Sequence, residues 1–256
     1  MGETILKINH LSKKFSKSFA DSVYASLKNI FIKKSHLELE KDEFWSLDDI
    51  NLEIKLGHVI GIIGSNGSGK TTLMRIISGI YTQDKGTIES HGKIAAIFAL
   101  KSGMHPHLSG LENIYVKASL YGLSKKETDL KVNDIIEFSG LSAFMDRPFG
   151  VYSSGMKAKL SFAILTAIHP TLFIIDEGLA VGDKSFQAKC FQYLREKREE
   201  MTTIYITNQH SQLENFADRI IIMNAGKIIG DTSSYSEAQQ IYDGANNNNT
   251  TLNELI

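Results

Sequence analysis

Short apolar runs and stretches with helical spacing alternate along most of this chain. Runs rich in apolar and β-branched residues predict strands at 4–10, 50–54, 59–63, 172–176, 203–207, 219–224 and 227–230, and a pair of strands within 86–98. Helices are predicted at 71–79 and through most of 107–165. Long apolar strands separated by helices are typical of a largely parallel sheet covered on both faces. The pattern therefore predicts an α/β fold.

Two segments depart from this alternation. Apolar residues between positions 19 and 31 recur at helical spacing next to lysines, which predicts an amphipathic helix. Such a helix either covers the core of its own domain or lies on a lipid surface or a partner protein, and the sequence leaves both options open. The asparagine-rich residues 244–256 are predicted to form a mobile polar tail.

Composition narrows the classes of function. The 256 residues carry 28 Lys and Arg against 29 Asp and Glu, a formal net charge of −1, so no basic footprint for nucleic acid is present in the sequence. The single cysteine, Cys190, cannot form an internal disulfide. The sequence has neither a membrane-spanning apolar run nor the apolar core of a secretory signal. We expect a cytosolic chain that needs a membrane-spanning partner for any work at a membrane.

A phosphate-binding loop is predicted between the apolar strand 59–63 and the helix after it. The motif G-x-x-x-x-G-K-[ST] is matched in full by Gly64, Ser65, Asn66, Gly67, Ser68, Gly69, Lys70 and Thr71, and Thr72 completes the expected ATP contacts. Glycines allow backbone N–H groups to surround a phosphate, and the helix N-terminus adds partial positive charge. We expect Lys70 to reach the β- and γ-phosphates of ATP and the Thr71 hydroxyl to bind Mg²⁺.

A second apolar strand, 172–175, ends in two carboxylates. This strand would bring Asp176 to the magnesium ion, directly or through a water molecule. Glu177, one residue further on, would polarise an attacking water as general base. A strand that ends in Asp-Glu is common by itself. Its occurrence downstream of a phosphate loop is what makes the prediction of a magnesium site specific.

Between these motifs, residues 152–156, Tyr-Ser-Ser-Gly-Met, begin a helix, and small polar residues at a helix start can bind an anion. The phosphate loop, this helix start and the Asp-Glu strand, in this order and spacing, resemble the nucleotide-binding subunit of an ABC transporter. The resemblance extends over residues 4–235. It implies a P-loop core sheet with an antiparallel β portion near the N-terminus. It also implies a helical subdomain at about 99–160, within a domain of residues 1–243.

The resemblance also implies roles for further residues. It implies a homodimer in which Ser153, Ser154 and Gly155 of one copy close on the ATP held by the other copy. Trp45 stands where the family places an aromatic residue that stacks on adenine, although Trp45 could equally lie in the core. Asp183 stands in the segment through which the family contacts the opposite subunit.

Residues 152–156 stand where the family has its signature sequence, and their form narrows the resemblance to exporters of lipid-linked polysaccharides, namely O-antigens, capsules and teichoic acids. Tyr-Ser-Ser-Gly-Met stands in place of Leu-Ser-Gly-Gly-Gln, and the runs 43–47 and 105–114 and the extra segment 15–43 also occur in that group. The resemblance implies a peripheral subunit at the cytoplasmic face of the inner membrane. There it would drive an integral membrane permease that moves an undecaprenyl-linked glycan. Two alternatives stay open: an ABC ATPase for another cargo, such as a peptide or a drug, and a nucleotide-gated interaction module with little catalysis.

Two polar residues of the family pattern are missing at the aligned positions. The family's Gln or Glu that contacts Mg²⁺ and the membrane subunit aligns with Ala99 or Leu100. The family's switch histidine aligns with Asn208, whereas a shifted loop would assign this role to His210. Asparagine can donate a hydrogen bond to a γ-phosphate but cannot carry a proton charge. The alignment favours Asn208. We expect an active ATPase, and these two departures put its turnover rate in doubt.

Overall fold

The computed structural model describes residues 2–16, 39, 42–97, 103–176 and 183–253 of the chain. It divides into two compact units, one formed by residues 1–91 and 206–256 and the other by residues 92–205. The helix predicted between 19 and 31, the aligned pair Ala99 and Leu100, and Glu177 lie outside the described residues. No helix within the described ranges is both long and apolar enough to cross a membrane.

Nine strands and six helices are described in these ranges. In chain order they are β1 (Thr4–Ser16), β2 (Glu43–Lys55), β3 (Val59–Gly64), α1 (Lys70–Ile77), β4 (Lys85–Ser90), β5 (Ile94–Ile97), α2 (Gly110–Leu120), α3 (Lys125–Ser139), α4 (Ser154–Thr166), β6 (Leu172–Asp176), α5 (Lys184–Glu196), β7 (Thr202–Ile206), β8 (Arg219–Asn224), β9 (Lys227–Thr232) and α6 (Tyr235–Asn253).

The first unit contains a three-stranded antiparallel sheet in the order β2-β1-β4. Buried apolar and exposed polar residues alternate along β2 from Ile50 to Lys55. This alternation is the pattern of a sheet with one covered face. The antiparallel portion that the resemblance implies near the N-terminus is therefore present.

The same unit contains the strands around the phosphate loop. Strand β3 is buried along its whole length, as expected of a strand covered on both faces. It pairs in parallel with β8, which pairs in antiparallel with β9. The phosphate loop follows β3 directly and leads into α1, while the C-terminal helix α6 packs on β8 and β9.

The second unit combines strands β5, β6 and β7 with helices α2 to α5. Strands β5 and β6 pair in parallel, and β7 lies on the other side of β6. An aromatic cluster joins three of the helices. Phe162 of α4 lies 6.0 Å from Phe138 of α3 and 6.2 Å from Phe186 of α5 between ring centroids, and the latter two rings lie 5.9 Å apart. Such pairs stabilise by about 0.5–1.5 kcal/mol each beyond the burial of their surface, so they fix the mutual positions of these helices.

The structure contains all the strands that the sequence predicts, with boundaries that differ by a few residues. The strands predicted at 4–10 and 50–54 are longer, because the pairing of β1 with β2 continues to Ser16 opposite Glu43. The two strands predicted within 86–98 are β4 and β5, and they pair with β1 and β6 respectively. Helix α6 includes residues 244–253, so the predicted domain end at 243 and the mobility of the tail stay predictions.

Candidate functional site

The phosphate loop surrounds the ammonium group of Lys70. The Lys70 side chain is buried, and its Nζ donates to the carbonyl of Gly64 at 2.6 Å and to that of Ser65 at 3.0 Å. Gly67 and Gly69 have φ values of 81° and 101°, a left-handed conformation that glycine adopts without steric cost. The loop thus curls around a positive charge, and the contact of Lys70 with the phosphates of ATP stays a prediction.

Helix α1 begins at the end of this loop without the side-chain cap that other helices have. Its N-cap residue is Gly69, and its first turn, which the structure describes in full, carries no acidic residue. By contrast, α2, α3, α4 and α5 each begin with a capping side chain, from Ser109, Ser124, Ser153 and Asp183 respectively. The start of α1 therefore keeps its partial positive charge, which suits a phosphate.

The loop is closely packed, and one of its polar groups is unpaired. A Cβ at Gly64 would overlap the Met223 carbonyl and the Ser68 hydroxyl, so only glycine fits there. The Ser68 hydroxyl is buried and has no hydrogen-bond partner among the described residues. A buried ammonium, an unpaired hydroxyl and a helix start free of acidic groups are suited to a triphosphate. The residues present therefore fit a nucleotide.

Sequence reasoning missed two residues that support the loop. Gly226, in the turn between β8 and β9, donates its N–H to the Ser68 carbonyl at 3.1 Å and accepts from the Asp48 N–H at 2.9 Å. Ser46 of β2 shares a hydrogen bond of 3.0 Å with the Thr72 hydroxyl. A glycine between two strands predicts a turn, but no sequence pattern shows that this turn packs on a distant loop.

Trp45 lies on β2 next to the residue that contacts Thr72. Its side chain is partly exposed, so the structure does not place it in the core. The Lys85 ammonium lies over its ring, 4.6 Å from the centroid, a favourable contact between a cation and an indole. Stacking of adenine on Trp45 stays a prediction.

Both candidate switch residues lie in the segment that follows β7. Asn208 is exposed beyond β7, whereas His210 is half-buried at the start of a 3₁₀ turn, His210–Gln212. Burial lowers the pKa of His210, the Lys70 ammonium lowers this pKa further, and Asp243 raises it. Burial and the ammonium thus favour the neutral imidazole, and the Asp243 carboxylate favours the charged form.

In the second unit, strand β6 carries Asp176 at its carboxyl end. The four residues before it are buried, and Asp176 is partly exposed. A carboxylate at the end of a buried parallel strand is the kind of ligand that Mg²⁺ prefers. The magnesium role of Asp176 and Thr71 and the catalytic role of Glu177 stay predictions.

The predicted signature residues form the start of α4. The Ser153 hydroxyl caps the helix by accepting from the Met156 N–H at 3.2 Å. Ser153 and Ser154 are exposed, and Gly155 is partly exposed. An exposed position is what contact with a second copy of the chain requires, and this contact stays a prediction.

Tyr152, directly before the cap, is buried against the start of α2. Its hydroxyl donates to the Phe144 carbonyl at 2.6 Å, and its ring lies 5.4 Å from that of Phe149. Gly110, the first residue of α2, leaves room for this ring, because a Cβ there would overlap the Tyr152 hydroxyl. A glycine on a neighbouring helix thus accommodates Tyr152, which the resemblance aligns with the family's leucine.

We expect Gly110→Ala to destabilise the protein by about 1–3 kcal/mol, because the added methyl group displaces the buried Tyr152 ring. Urea unfolding followed by circular dichroism measures this loss. The matched control is Gly244→Ala in α6, where nothing lies within 4 Å of the added Cβ, and it should leave stability unchanged or higher. In a Tyr152→Leu background the Gly110 substitution should cost much less. Equal losses in both backgrounds would contradict this packing.

Asp183 begins α5, and its carboxylate already has three donors. It accepts from Lys159 Nζ at 2.6 Å, Ser185 Oγ at 2.5 Å and the Phe186 N–H at 2.9 Å. These donors hold the pKa of Asp183 well below its usual range. Because Lys159 belongs to α4, this ion pair joins the predicted signature helix to α5. Contact of Asp183 with nucleotide or with a second subunit stays a prediction.

Comparison with known proteins identifies relatives along most of the chain. The O-antigen export system ATP-binding protein RfbB of Klebsiella pneumoniae is 40% identical over 190 residues, which are 74% of this chain and 77% of that protein. The teichoic acids export ATP-binding protein TagH of Lactococcus lactis is 43% identical over 224 residues, which are 87% of this chain and 47% of that protein. The chain thus spans about half the length of this second relative.

Solved structures share the fold at lower identity. A dimeric ATP-binding cassette in a post-hydrolysis state with ADP and Pi superposes with a TM-score of 0.71 at 19% identity, covering 90% of this chain and 98% of that one. A nucleotide-free cassette from an ABC transporter superposes with a TM-score of 0.68 at 20% identity, covering 93% and 95%. The predicted α/β P-loop fold is therefore confirmed. A protein-family profile for ABC transporters matches residues 47–180, and together with the relatives above it shows that this chain belongs to the ABC transporter family.

Proposed function

We propose that this chain is the ATP-binding and ATP-hydrolysing subunit of a transporter that exports a lipid-linked polysaccharide, such as an O-antigen, a capsule or a teichoic acid. The loop that curls around the Lys70 ammonium is the observation that best supports the ATP function. The cargo is supported by the two groups of relatives, which are named for export of O-antigen and of teichoic acids. Both of these cargoes are glycans of the cell surface.

In this proposal the chain works as a homodimer with an integral membrane permease. The exposed Ser153 and Ser154 support a dimer, since they leave the signature accessible to a second copy. The relatives are named as ATP-binding proteins of export systems, which supports a separate subunit that spans the membrane. The chain would be peripheral at the cytoplasmic face of the inner membrane, and the undecaprenyl-linked glycan would contact the permease.

The residues of the loop divide the work of binding the nucleotide. The Lys70 ammonium, now bonded to the carbonyls of Gly64 and Ser65, would exchange these for oxygens of the β- and γ-phosphates. Thr71 and Asp176 would hold Mg²⁺, which neutralises charge on the phosphates when bound. Glu177 would accept the proton of the attacking water.

A test of the whole proposal compares a strain that lacks this gene with the parent strain. Surface glycan, measured by gel electrophoresis of extracted envelope polysaccharide, should disappear in the mutant and return with the wild-type gene. The purified protein should release phosphate from ATP with Mg²⁺ and not with EDTA. Normal surface glycan in the mutant would contradict the cargo, and a protein without Mg²⁺-dependent hydrolysis would contradict the ATPase function.

We propose His210 for the switch role, because its imidazole is half-buried in the segment after β7 and the Lys70 charge contributes to lowering its pKa. Loss of a donor to the γ-phosphate lowers the rate of hydrolysis by about 100-fold, so His210→Ala should lower kcat by that order. The paired variant is Asn208→Ala, which should stay within about twofold of wild type if His210 holds the role. Phosphate release under saturating ATP measures both. The reverse ranking would show that Asn208 holds the role, as the sequence alignment favours.

A further inference from the structure

A lysine from a distant strand covers one face of the Trp45 ring. Lys85 is the first residue of β4, and its Nζ lies over the indole, 4.6 Å from the ring centroid. Because β1 lies between β2 and β4 in the sheet, the Lys85 side chain spans the central strand to reach Trp45. Both side chains therefore lie on the same side of this sheet. Trp45 is partly exposed, and Lys85 covers only one of the two faces of its ring.

The position of Lys85 is fixed by the residue before it. Asp84 donates its N–H to the Ser12 carbonyl at 2.9 Å, and its carboxylate accepts from the Lys14 N–H at 2.8 Å. Lys14 is the residue of β1 that lies opposite Trp45. The start of β4 is thus bonded to the same stretch of β1 that pairs with Trp45, and this bonding sets the distance that the Lys85 side chain spans.

The neighbouring lysines of β1 pair with carboxylates, whereas Lys85 contacts the indole. Lys13 Nζ lies 3.1 Å from the Asp84 carboxylate, and Lys14 Nζ lies 2.7 Å from that of Glu43. Among the residues that the structure describes, none provides a carboxylate partner for the Lys85 ammonium. Tryptophan is the aromatic residue that binds a cation best on its face, so this contact holds both side chains in one orientation.

Trp45 itself lies next to the point where β2 touches the phosphate loop. Between Leu47 and Trp45 the pairing of β2 with β1 shifts by one residue, which leaves Ser46 as the extra residue of a β-bulge. A bulge changes the direction of the side chains beside it. The Ser46 hydroxyl shares a hydrogen bond with Thr72, and a Cβ at Gly69 would lie 2.7 Å from the Ser46 carbonyl. Trp45 is therefore one residue away from direct contact with the loop that would hold the triphosphate.

We propose that Lys85 is a positioning residue of the nucleotide site, which fixes the Trp45 ring so that the face opposite the ammonium receives the purine base. This inference rests on the proposed ATP function and on the predicted stacking of adenine on Trp45. A ring that is already held in one orientation loses less freedom when a base stacks on it. Lys85 would thus strengthen binding of the base without touching the nucleotide, and it would not act on the triphosphate.

The chain contains one tryptophan, so its tryptophan fluorescence reports on Trp45 alone. In Lys85→Met, which removes the charge and keeps most of the side-chain length, fluorescence anisotropy should fall and quenching by acrylamide should rise, because the ring is freer and more exposed. Lys85→Arg keeps a cation for the ring and should match wild type. The matched control is Lys7→Met, an exposed lysine of β1 in the same sheet, which should leave both signals unchanged.

Calorimetric titration then separates binding of the base from binding of the phosphates. Lys85→Met should weaken ATP binding by about 3- to 10-fold, the size of a contact between a cation and an indole, and leave binding of inorganic tripolyphosphate within about twofold. In hydrolysis, this variant should raise KM for ATP by the same factor and keep kcat near the wild-type value. In a Trp45→Ala background, Lys85→Met should have no additional effect on ATP binding, because the two residues act as one unit. Thermal unfolding establishes that each variant is folded.

The outcomes distinguish this inference from the function on which it rests. A folded Lys85→Met protein that binds ATP as tightly as wild type would overturn the inference, and so would an equal loss of affinity for ATP and tripolyphosphate. If Trp45→Ala binds ATP like wild type, the base does not stack on this ring, and the inference fails while the ATP function stands. A wild-type protein that binds neither ATP nor tripolyphosphate would contradict the proposed function itself.

Discussion

Glu177→Gln should lower the rate of ATP hydrolysis by about 100-fold or more and leave ATP binding within about twofold of wild type. The amide has nearly the size of the carboxylate but cannot accept the proton of the attacking water. Glu177 directly follows Asp176, which ends the buried strand β6, so the substitution leaves the strand and its carboxylate unchanged. Phosphate release and binding of a fluorescent ATP analogue, measured on the same preparation, separate the two effects.

The matched control is Glu199→Gln, an exposed carboxylate in the turn after α5, which should hydrolyse ATP at the wild-type rate. A Glu177→Gln protein that keeps most of its activity would show that another group takes the proton. If the wild type and Glu177→Gln both bind ATP and neither releases phosphate, the chain is the nucleotide-gated module that the sequence leaves open.

Lys70→Ala should weaken ATP binding by about 10-fold or more and reduce hydrolysis by about 100-fold or more. The Lys70 ammonium is the charge inside the phosphate loop, 2.6 Å from the Gly64 carbonyl, and charge-assisted bonds to phosphate are among the strongest in proteins. Its removal takes away both the attraction for the β- and γ-phosphates and the stabilisation of the transition state. Titration with the fluorescent analogue and phosphate release measure the two losses.

Because Lys70 is buried and bonded to the loop, the substitution also changes the free protein. Thermal unfolding should therefore show whether the loop variant keeps its fold before its activity is compared. The matched control is Lys126→Ala, an exposed lysine in the first turn of α3, which should bind ATP like wild type. Unchanged ATP binding by a folded Lys70→Ala protein would contradict the role of this loop.

The sequence could predict the elements that a local pattern of neighbouring residues specifies. The strand, the glycine-rich loop and the helix around Lys70 are contiguous, so apolar periodicity and glycine placement predict all three. The strand that ends in Asp176 is likewise visible as an apolar run. Strand β2 was predicted too short, because its first half is held by pairing with β1, and pairing between strands distant in sequence leaves little local pattern.

The contacts that support the site could not be predicted. Gly226 bonds to the Ser68 carbonyl, and Lys159 reaches Asp183 from a different helix. In the sequence alone, Gly226 cannot be distinguished from an ordinary turn glycine, nor Lys159 from an ordinary surface lysine. Their partners can be identified only in the folded structure, because packing brings into contact residues that are far apart along the chain.

By itself, the sequence determined the family, the phosphate loop and the strands that carry its chemistry, since a contiguous motif specifies its own local backbone. Only the tertiary structure showed which distant residues support the loop, such as the Gly226 N–H that bonds to the Ser68 carbonyl, and only the structure placed Tyr242 against His210. Which side chain of a turn faces a site depends on how the turn packs. Leu213, which packs over Gly61, is an example of such packing. Interdigitation of side chains from distant segments, which leaves no periodic trace in the chain, is the physical reason for this division.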